Sequence, residues 1–253
     1  MSLATHAEMR LGKKPPKHDA RTLRMARYLT TELPAAPPEV KPPTMYRLGV
    51  MLNNQLGDCT CAAAGHMVQA WTAANGGEVV LPDDAILAAY EGACGYNPAD
   101  PSTDQGGVEL DVLNYWRSVG VGGHKIAAFV ALDPRSREHL KVACFLFGGA
   151  YIGVSLPVSA QNQIVWSLSI AGTDGDATPG SWGGHAVCIV GYNATGPLCV
   201  TWGQVKQMTW TWFDAYCEEA YGVLSADWAQ PGKAAPSGFD LAALQADLTA
   251  VAG

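Results

Sequence analysis

The sequence predicts an α+β protein of two lobes, a helical one followed by one built on an antiparallel sheet, with a cleft between them. Helical patterns occupy residues 58–147. From residue 150 onward the apolar runs become short, β-branched or aromatic, and are separated by Gly, Pro and Asn. Helices first and strands afterwards is the α+β arrangement. A further observation is that each half offers one reactive side chain in a favourable setting. A cysteine heads a small-residue helix in NNQLGDCTCAAAGHMVQAW (53–71), and a histidine heads an apolar strand in GSWGGHAVCIVGYN (180–193).

The elements follow in chain order. Residues 1–47 read as an extension with one short helix over 19–29, for which Asp19 is the cap candidate. LPAAPPEVKPPT (33–44) holds too many prolines for a helix or a central strand and should run extended over the surface. Over 58–75, Asp58 suits an N-cap, Ala62, Ala63 and Ala64 propagate the helix, and Asn75-Gly76-Gly77 ends it. Pro82 opens a helix over 82–93, turn formers fill 95–107, and a third helix spans 108–119 with Val108, Val112, Tyr115 and Val119 on its predicted buried face. Asp133-Pro134 starts a fourth helix to Phe147, stopped by Gly148-Gly149. Strands are expected at 150–156, 186–192, 198–202, 207–212 and 222–226, a short helix at 214–221, and a helical C-terminus from Phe239. Trp210, Trp212, Phe213, Tyr216 and Tyr221 read as the wall and floor of the second lobe.

Composition excludes several classes. At 253 residues, 48% hydrophobic and 15% charged, the chain can bury a substantial core. No apolar run approaches the roughly 20 residues that cross a bilayer, so no membrane partner is expected. Without a visible secretory signal, a cytoplasmic location is the expectation. Seven cysteines form no even framework and read mostly as reduced buried thiols. Cys-x-x-Cys pairs are lacking and the histidines are scattered, so neither a metal site nor a cofactor is expected. Residues 1–47 carry nine Lys and Arg against four acids, a net of +5 on a chain whose total is −7. That basic arm has no repeated basic-aromatic pattern behind it, which argues against a nucleic-acid partner. No feature sets an oligomeric state.

The chemistry lies in the cysteine and the histidine. Positive potential at a helix N-terminus favours a thiolate, and a neutral imidazole within reach can take the thiol proton. Cys59 follows Gly57 by two and stands at the helix start; Cys61 lies deeper and suits a small buried hydrophobe. His185 has a Gly-Gly approach, an apolar strand behind it and Trp202-Gly203 downstream. His66, farther along the helix, is better explained by packing than by chemistry.

These pieces, in this order, resemble the papain-like cysteine peptidases. In that family a Gln precedes a Gly-x-Cys that opens a long helix, and a His-Ala-Val strand and an Asn-Ser-Trp-Gly turn follow from the other lobe. The matching segments are GDC (57–59), GGHAVCIVGY (183–192) and VTWG (200–203), with DQGGVELDVLNYWRSVGV (104–121) similar to the family's Gly-Gly-opened helix. The resemblance spans roughly 51–212 and implies a two-lobed fold, a peptide or protein substrate and amide hydrolysis through an acyl-thioester. It implies Cys59 as nucleophile, with Cys61 as competitor because its distance from Gln55 matches the family's Gln-to-Cys spacing. His185 would be the base, Asn53 or Gln55 the oxyanion donor, and Trp202 the shield. The family's orienting Asn falls here on Val200 or Thr201. Two other readings stay open: an acyltransferase using the same dyad, and a catalytically weak papain-fold protein for binding or assembly, for example in a phage particle.

Overall fold

The computed structural model describes residues 9–27, 35–170 and 172–226. Its centre is α1 (Cys59–Ala74), in which every residue from Cys59 to Trp71 is buried. A helix covered all round must meet neighbours on all sides, and its small residues allow close approach. At Gly65 a Cβ would lie 2.6 Å from Met51 Sδ and 2.7 Å from Ile86 Cδ1. Ile86 belongs to α2 (Asp83–Cys94), which ends at the left-handed Gly95. The opposite side of α1 packs on the sheet strand that carries the histidine.

That sheet has seven strands: β1 (Leu23–Arg24), β2 (Ile126–Ala131), β3 (Ala150–Leu156), β4 (Gly183–Tyr192), β5 (Pro197–Thr201), β6 (Gln204–Gln207) and β7 (Cys217–Ser225). Their spatial order is β1-β2-β7-β3-β4-β5-β6, antiparallel throughout except for β1 on β2. Strand β3 at its centre is buried on both faces except at Ser155. In β7 the pairing passes from Gly153↔Glu219 to Val154↔Cys217, so Glu218 is an extra residue with no partner on β3. This is a β-bulge.

Several expectations are corrected. Helix α3 (Glu109–Ser118) buries Glu109, Leu110, Val112, Leu113 and Trp116; of the four predicted residues only Val112 is fully buried, and Val119 is 58% exposed. Helix α4 (Arg137–Phe147) starts four residues later than expected because Ser136, not Asp133, caps it, accepting from the His139 N–H at 3.2 Å. The predicted strand 207–212 ends at Gln207: Thr209 accepts from the Trp212 N–H at 3.2 Å and nucleates α5 (Trp210–Tyr216). The predicted helix 214–221 therefore stops at Tyr216, and β7 starts at Cys217. Strand β2 was not anticipated; it lies between helices α3 and α4 yet pairs with β7.

The helix expected over 19–29 is replaced by β1 and a 3₁₀ turn at Met25–Arg27. The Asp19 carboxylate is taken by the Arg21 backbone and guanidinium in a local turn, and Leu23 and Arg24 pair with Val130 and Ala131. Residues 28–29 of that expectation, and the helix expected from Phe239, lie outside the described residues. The described part of the proline-rich stretch runs without helix or strand and is fixed by reciprocal Val40–Tyr192 backbone bonds of 3.0 and 2.9 Å.

Candidate active site

Cys59 occupies the first position of α1, but Asp58 does not cap the helix. Its φ of −95° and ψ of 17° lie outside the extended region usual for a capping residue, and its side chain makes no hydrogen bond to the helical N–H groups. The Asp58 carboxylate instead accepts from Asn53 Nδ2 at 3.2 Å, and burial pushes its pKa well above the carboxylate range. One residue earlier the Gly57 N–H donates to the Asp104 carboxylate at 3.0 Å. Asp104 also accepts from the Tyr90 hydroxyl at 2.6 Å, and that hydroxyl accepts the Gly106 N–H at 2.9 Å. Three hydrogen bonds thus tie the loop before Cys59 to the Gly106-Gly107 turn. Neither Asp104 nor Tyr90 stands out in the sequence, because each acts only through loops brought together by the fold.

His185 arrives on β4, and Cys59 and His185 line one small cavity of about 10 Å³, near the lower limit for a single water. Asn53, His66, Thr201 and Trp202 line it too. Gln55 is exposed, and neither it nor Cys61 lines the cavity. The Cys61 thiol is buried against Cys94, which raises its pKa well above the ordinary value ahead of burial itself. His66 is buried, bonds Gln69 Oε1 at 3.3 Å, and is held neutral by burial with a pKa near 4.

The imidazole is fixed from two directions. Thr201 Oγ1 lies 2.8 Å from His185 Nε2, and the Trp202 indole stacks on the ring at 4.3 Å and 13°. Of the two candidates for the orienting position, it is therefore Thr201, not Val200, that touches the histidine. Trp202 and Gly203 form the two-residue turn between β5 and β6, with Thr201 paired to Gln204 and φ of 43° and 74°. A type I′ hairpin requires positive φ at both positions. Placing a tryptophan there costs roughly 1–2 kcal/mol, and the indole so placed covers His185.

Cys59 Sγ accepts from the Ala186 N–H at 3.4 Å, whereas His185 Nδ1 has no hydrogen-bond partner among the described residues. Burial pushes the Cys59 thiol up to about 12; the Ala186 N–H opposes the rise, Asp58 and Glu109 add to it, and the Gly12 N–H opposes it. Burial likewise drops the His185 pKa to about 3. In this covered state the pair is a neutral thiol beside a neutral imidazole.

The cover is the segment from Arg10 to Lys14. The Arg10 N–H donates to Asn53 O at 3.1 Å, and Arg10 O accepts from Trp202 Nε1 at 3.3 Å. Lys13 N–H donates to Gly184 O at 3.1 Å; Gly12 O accepts from the Gly107 N–H and Gly107 O from the Lys14 N–H, both at 2.8 Å. Between these bonds Gly12 passes so near the loops that a Cβ on it would lie 1.8 Å from Gly57 O. A larger open cavity of about 560 Å³ lies elsewhere, bounded partly by residues 16–26, and neither Cys59 nor His185 lines it.

The overall fold has counterparts among solved structures. Xylellain, a cysteine protease from Xylella fastidiosa, superposes with a TM-score of 0.65 at 14% identity over 88% of this chain and 99% of its own. The fold is papain-like. Digestive procathepsin L 3 from the larval midgut of Tenebrio molitor shares this papain-like fold, with a TM-score of 0.58 at 11% identity over 87% of this chain and 77% of its own. So does a cysteine protease of Carica candamarcensis, at 0.50 and 16% over 74% and 98%. No family model and no curated protein matches the sequence. None of the described helices is long and apolar enough to cross a membrane.

Proposed function

We propose that the chain is a cysteine peptidase or related amide hydrolase whose cleft is covered by its own N-terminal segment, so that residues 1–47 act as a pro-segment. The supporting observation is that Cys59 and His185, distant in sequence, line the same cavity under the stacked Trp202 indole. Once the segment leaves, water lowers the desolvation that keeps both groups neutral. With Nε2 engaged by Thr201, Nδ1 is the ring nitrogen left to take the thiol proton.

The Cys59 thiolate then attacks the substrate carbonyl carbon, forming a C–S bond and an oxyanion. Asn53, which lines the cavity, is the side-chain donor for that oxygen after its amide leaves Asp58, and the Cys59 N–H at the helix start is the second. His185 passes its proton to the leaving nitrogen as the C–N bond breaks. It then draws a proton from water; the hydroxide adds to the thioester carbon, the C–S bond breaks to release the acid product, and Cys59 is left as thiolate beside the protonated His185.

A thiol-directed electrophile followed by mass spectrometry tests the assignment. Label should land on Cys59, disappear in Cys59→Ala and slow in His185→Ala; label on Cys61 instead sinks it. A second reading, a binding or assembly protein, draws on the neutral resting pair and the Thr201 in place of an amide. Peptide turnover by the uncovered chain separates the two.

A further inference from the structure

The covering segment is held in two ways that differ in what they demand of a peptide. Its main chain bridges Gly107 on one wall and Gly184 on the other, contacts that depend on backbone groups and, at Gly12, on space, but not on side-chain chemistry. Its Lys13 side chain, fully buried, enters a pocket whose requirements are chemical. The ammonium pairs with Glu218 and, at 2.9 Å, with Glu219 Oε1. Both consecutive glutamates reach one lysine because of the bulge at Glu218; in a regular strand they would point to opposite faces. Gly153 forms the floor, where a Cβ would lie 2.0 Å from Lys13 Cε and 2.7 Å from Glu109 Oε1.

Glu109 is the telling member. It is wholly buried at the start of α3, and neither carboxylate oxygen has a hydrogen-bond partner among the described residues. Burying a carboxylate that pairs with nothing is costly, and one lysine needs fewer than three acids to be neutralised. Burial together with Glu219 raises the Glu109 pKa well above the carboxylate range, while Lys13 opposes it. For Lys13 burial acts against the charge, but Glu109 and Glu219 outweigh it and raise its pKa. Three acidic side chains thus surround one buried ammonium, an arrangement that matches a cation and offers no partner to an apolar or anionic side chain.

We propose that Glu109, Glu218 and Glu219 form the specificity pocket of the cleft, selecting peptides that carry a lysine or arginine at the position Lys13 now fills. This rests on the reading that the Cys59 cleft binds peptides. When the segment withdraws, Lys13 leaves with it and the carboxylates stand open beside Gly107 and Gly184. A basic side chain of the incoming peptide restores the ion pairs while its main chain reforms the bridge. A neutral or acidic side chain leaves the acids unpaired.

The test uses the full-length Lys13→Glu variant, in which like charge expels the strap, and fluorescent peptides spanning residues 9–16. The position of Lys13 in the peptide carries Lys, Arg, norleucine or Glu, and binding is read by anisotropy. Lys and Arg peptides should bind at least tenfold more tightly than the norleucine peptide, and the Glu peptide most weakly. The preference should disappear when Glu109→Gln and Glu219→Gln are added. Glu218→Gln, at the more exposed carboxylate, should weaken it in part, and thermal melts check that each variant is folded. Equal binding of the Lys and norleucine peptides, a preference that survives both Gln substitutions, or no binding of any peptide overturns the inference. Hydrolysis is scored separately. A chain that selects basic peptides without cutting them sinks the peptidase reading alone, and one that cuts peptides without basic preference sinks this inference alone.

Discussion

At the scale of single residues, the proposed chemistry turns on the Thr201–His185 contact and on the neutral resting state of the Cys59 thiol. Thr201 offers His185 one hydroxyl where an amide would offer a more directional acceptor, so the tautomer depends on a single 2.8 Å contact. Thr201→Val keeps the shape and removes that contact; turnover of an uncovered variant should drop about tenfold, close to 1.4 kcal/mol of barrier, with little change in KM. Turnover at the wild-type level would show that packing under Trp202 alone orients the ring. A thiol pKa near 12 leaves almost no thiolate at neutral pH. Alkylation of Cys59 by iodoacetamide in the intact chain should therefore rise about tenfold per pH unit from pH 6 to 9, without a plateau. A plateau near neutrality in the intact chain would mean that the covered thiol is already activated.

At the scale of elements, the proposed function assigns access to the strap and selection to the bulge. Gly12 fits because its missing Cβ would strike the Gly57 carbonyl. Gly12→Ala should dislodge the strap and speed Cys59 labelling at least tenfold at pH 7, as followed by intact-mass spectrometry; an unchanged rate would show that the strap does not limit access. Much of this level was legible beforehand. Helices α1 to α4 and strands β3 to β5 follow from apolar spacing, glycine stops and β-branched runs, although the caps read for α1 and α4 were not the ones used, and Cys59, His185 and Trp202 are marked by local motifs. Strand β2 was hidden because IAAFVA is half alanine, and α5 because the alternating aromatics of MTWTWF imitate a strand until the Thr209 cap is seen. The choice of Thr201 over Val200 needed the observed register. The acidic pocket was invisible, since its parts come from α3, β7 and the strap, and a one-residue bulge aligns two of them.

At the scale of the whole molecule, buried titratable groups make stability depend on pH in opposing directions. His185 and His66 have folded pKa values near 3 and 4 against an unfolded value of about 6.5. Below 6.5 the unfolded chain binds protons that the folded chain excludes, so their contribution is complete above 6.5 and declines as the pH falls. Each costs up to about 1.4 kcal/mol per pH unit. Glu109 and Asp58, with raised pKa values, act the other way and lose stability as pH rises above their unfolded range. Between pH 6.5 and 5 the two sets oppose one another, so the readout is a difference: as the pH falls, the urea midpoint of the wild type should drop relative to that of His66→Gln. An identical slope in that variant would remove His66 from the account.

The bonds from Arg10 to Lys14 belong to the same chain as the cleft they fill, so the strap never dilutes away. A tethered ligand competes at an effective concentration on the order of millimolar. A free peptide making the same contacts would have to reach that level to occupy half of the clefts, even where its intrinsic affinity is micromolar. Cutting the backbone once between the strap and residue 40 would turn this internal competitor into a free one at the concentration of the protein itself. Nanomolar protein would then leave such a strap mostly dissociated. Dilution after a single cut could open the cleft without any change in the site.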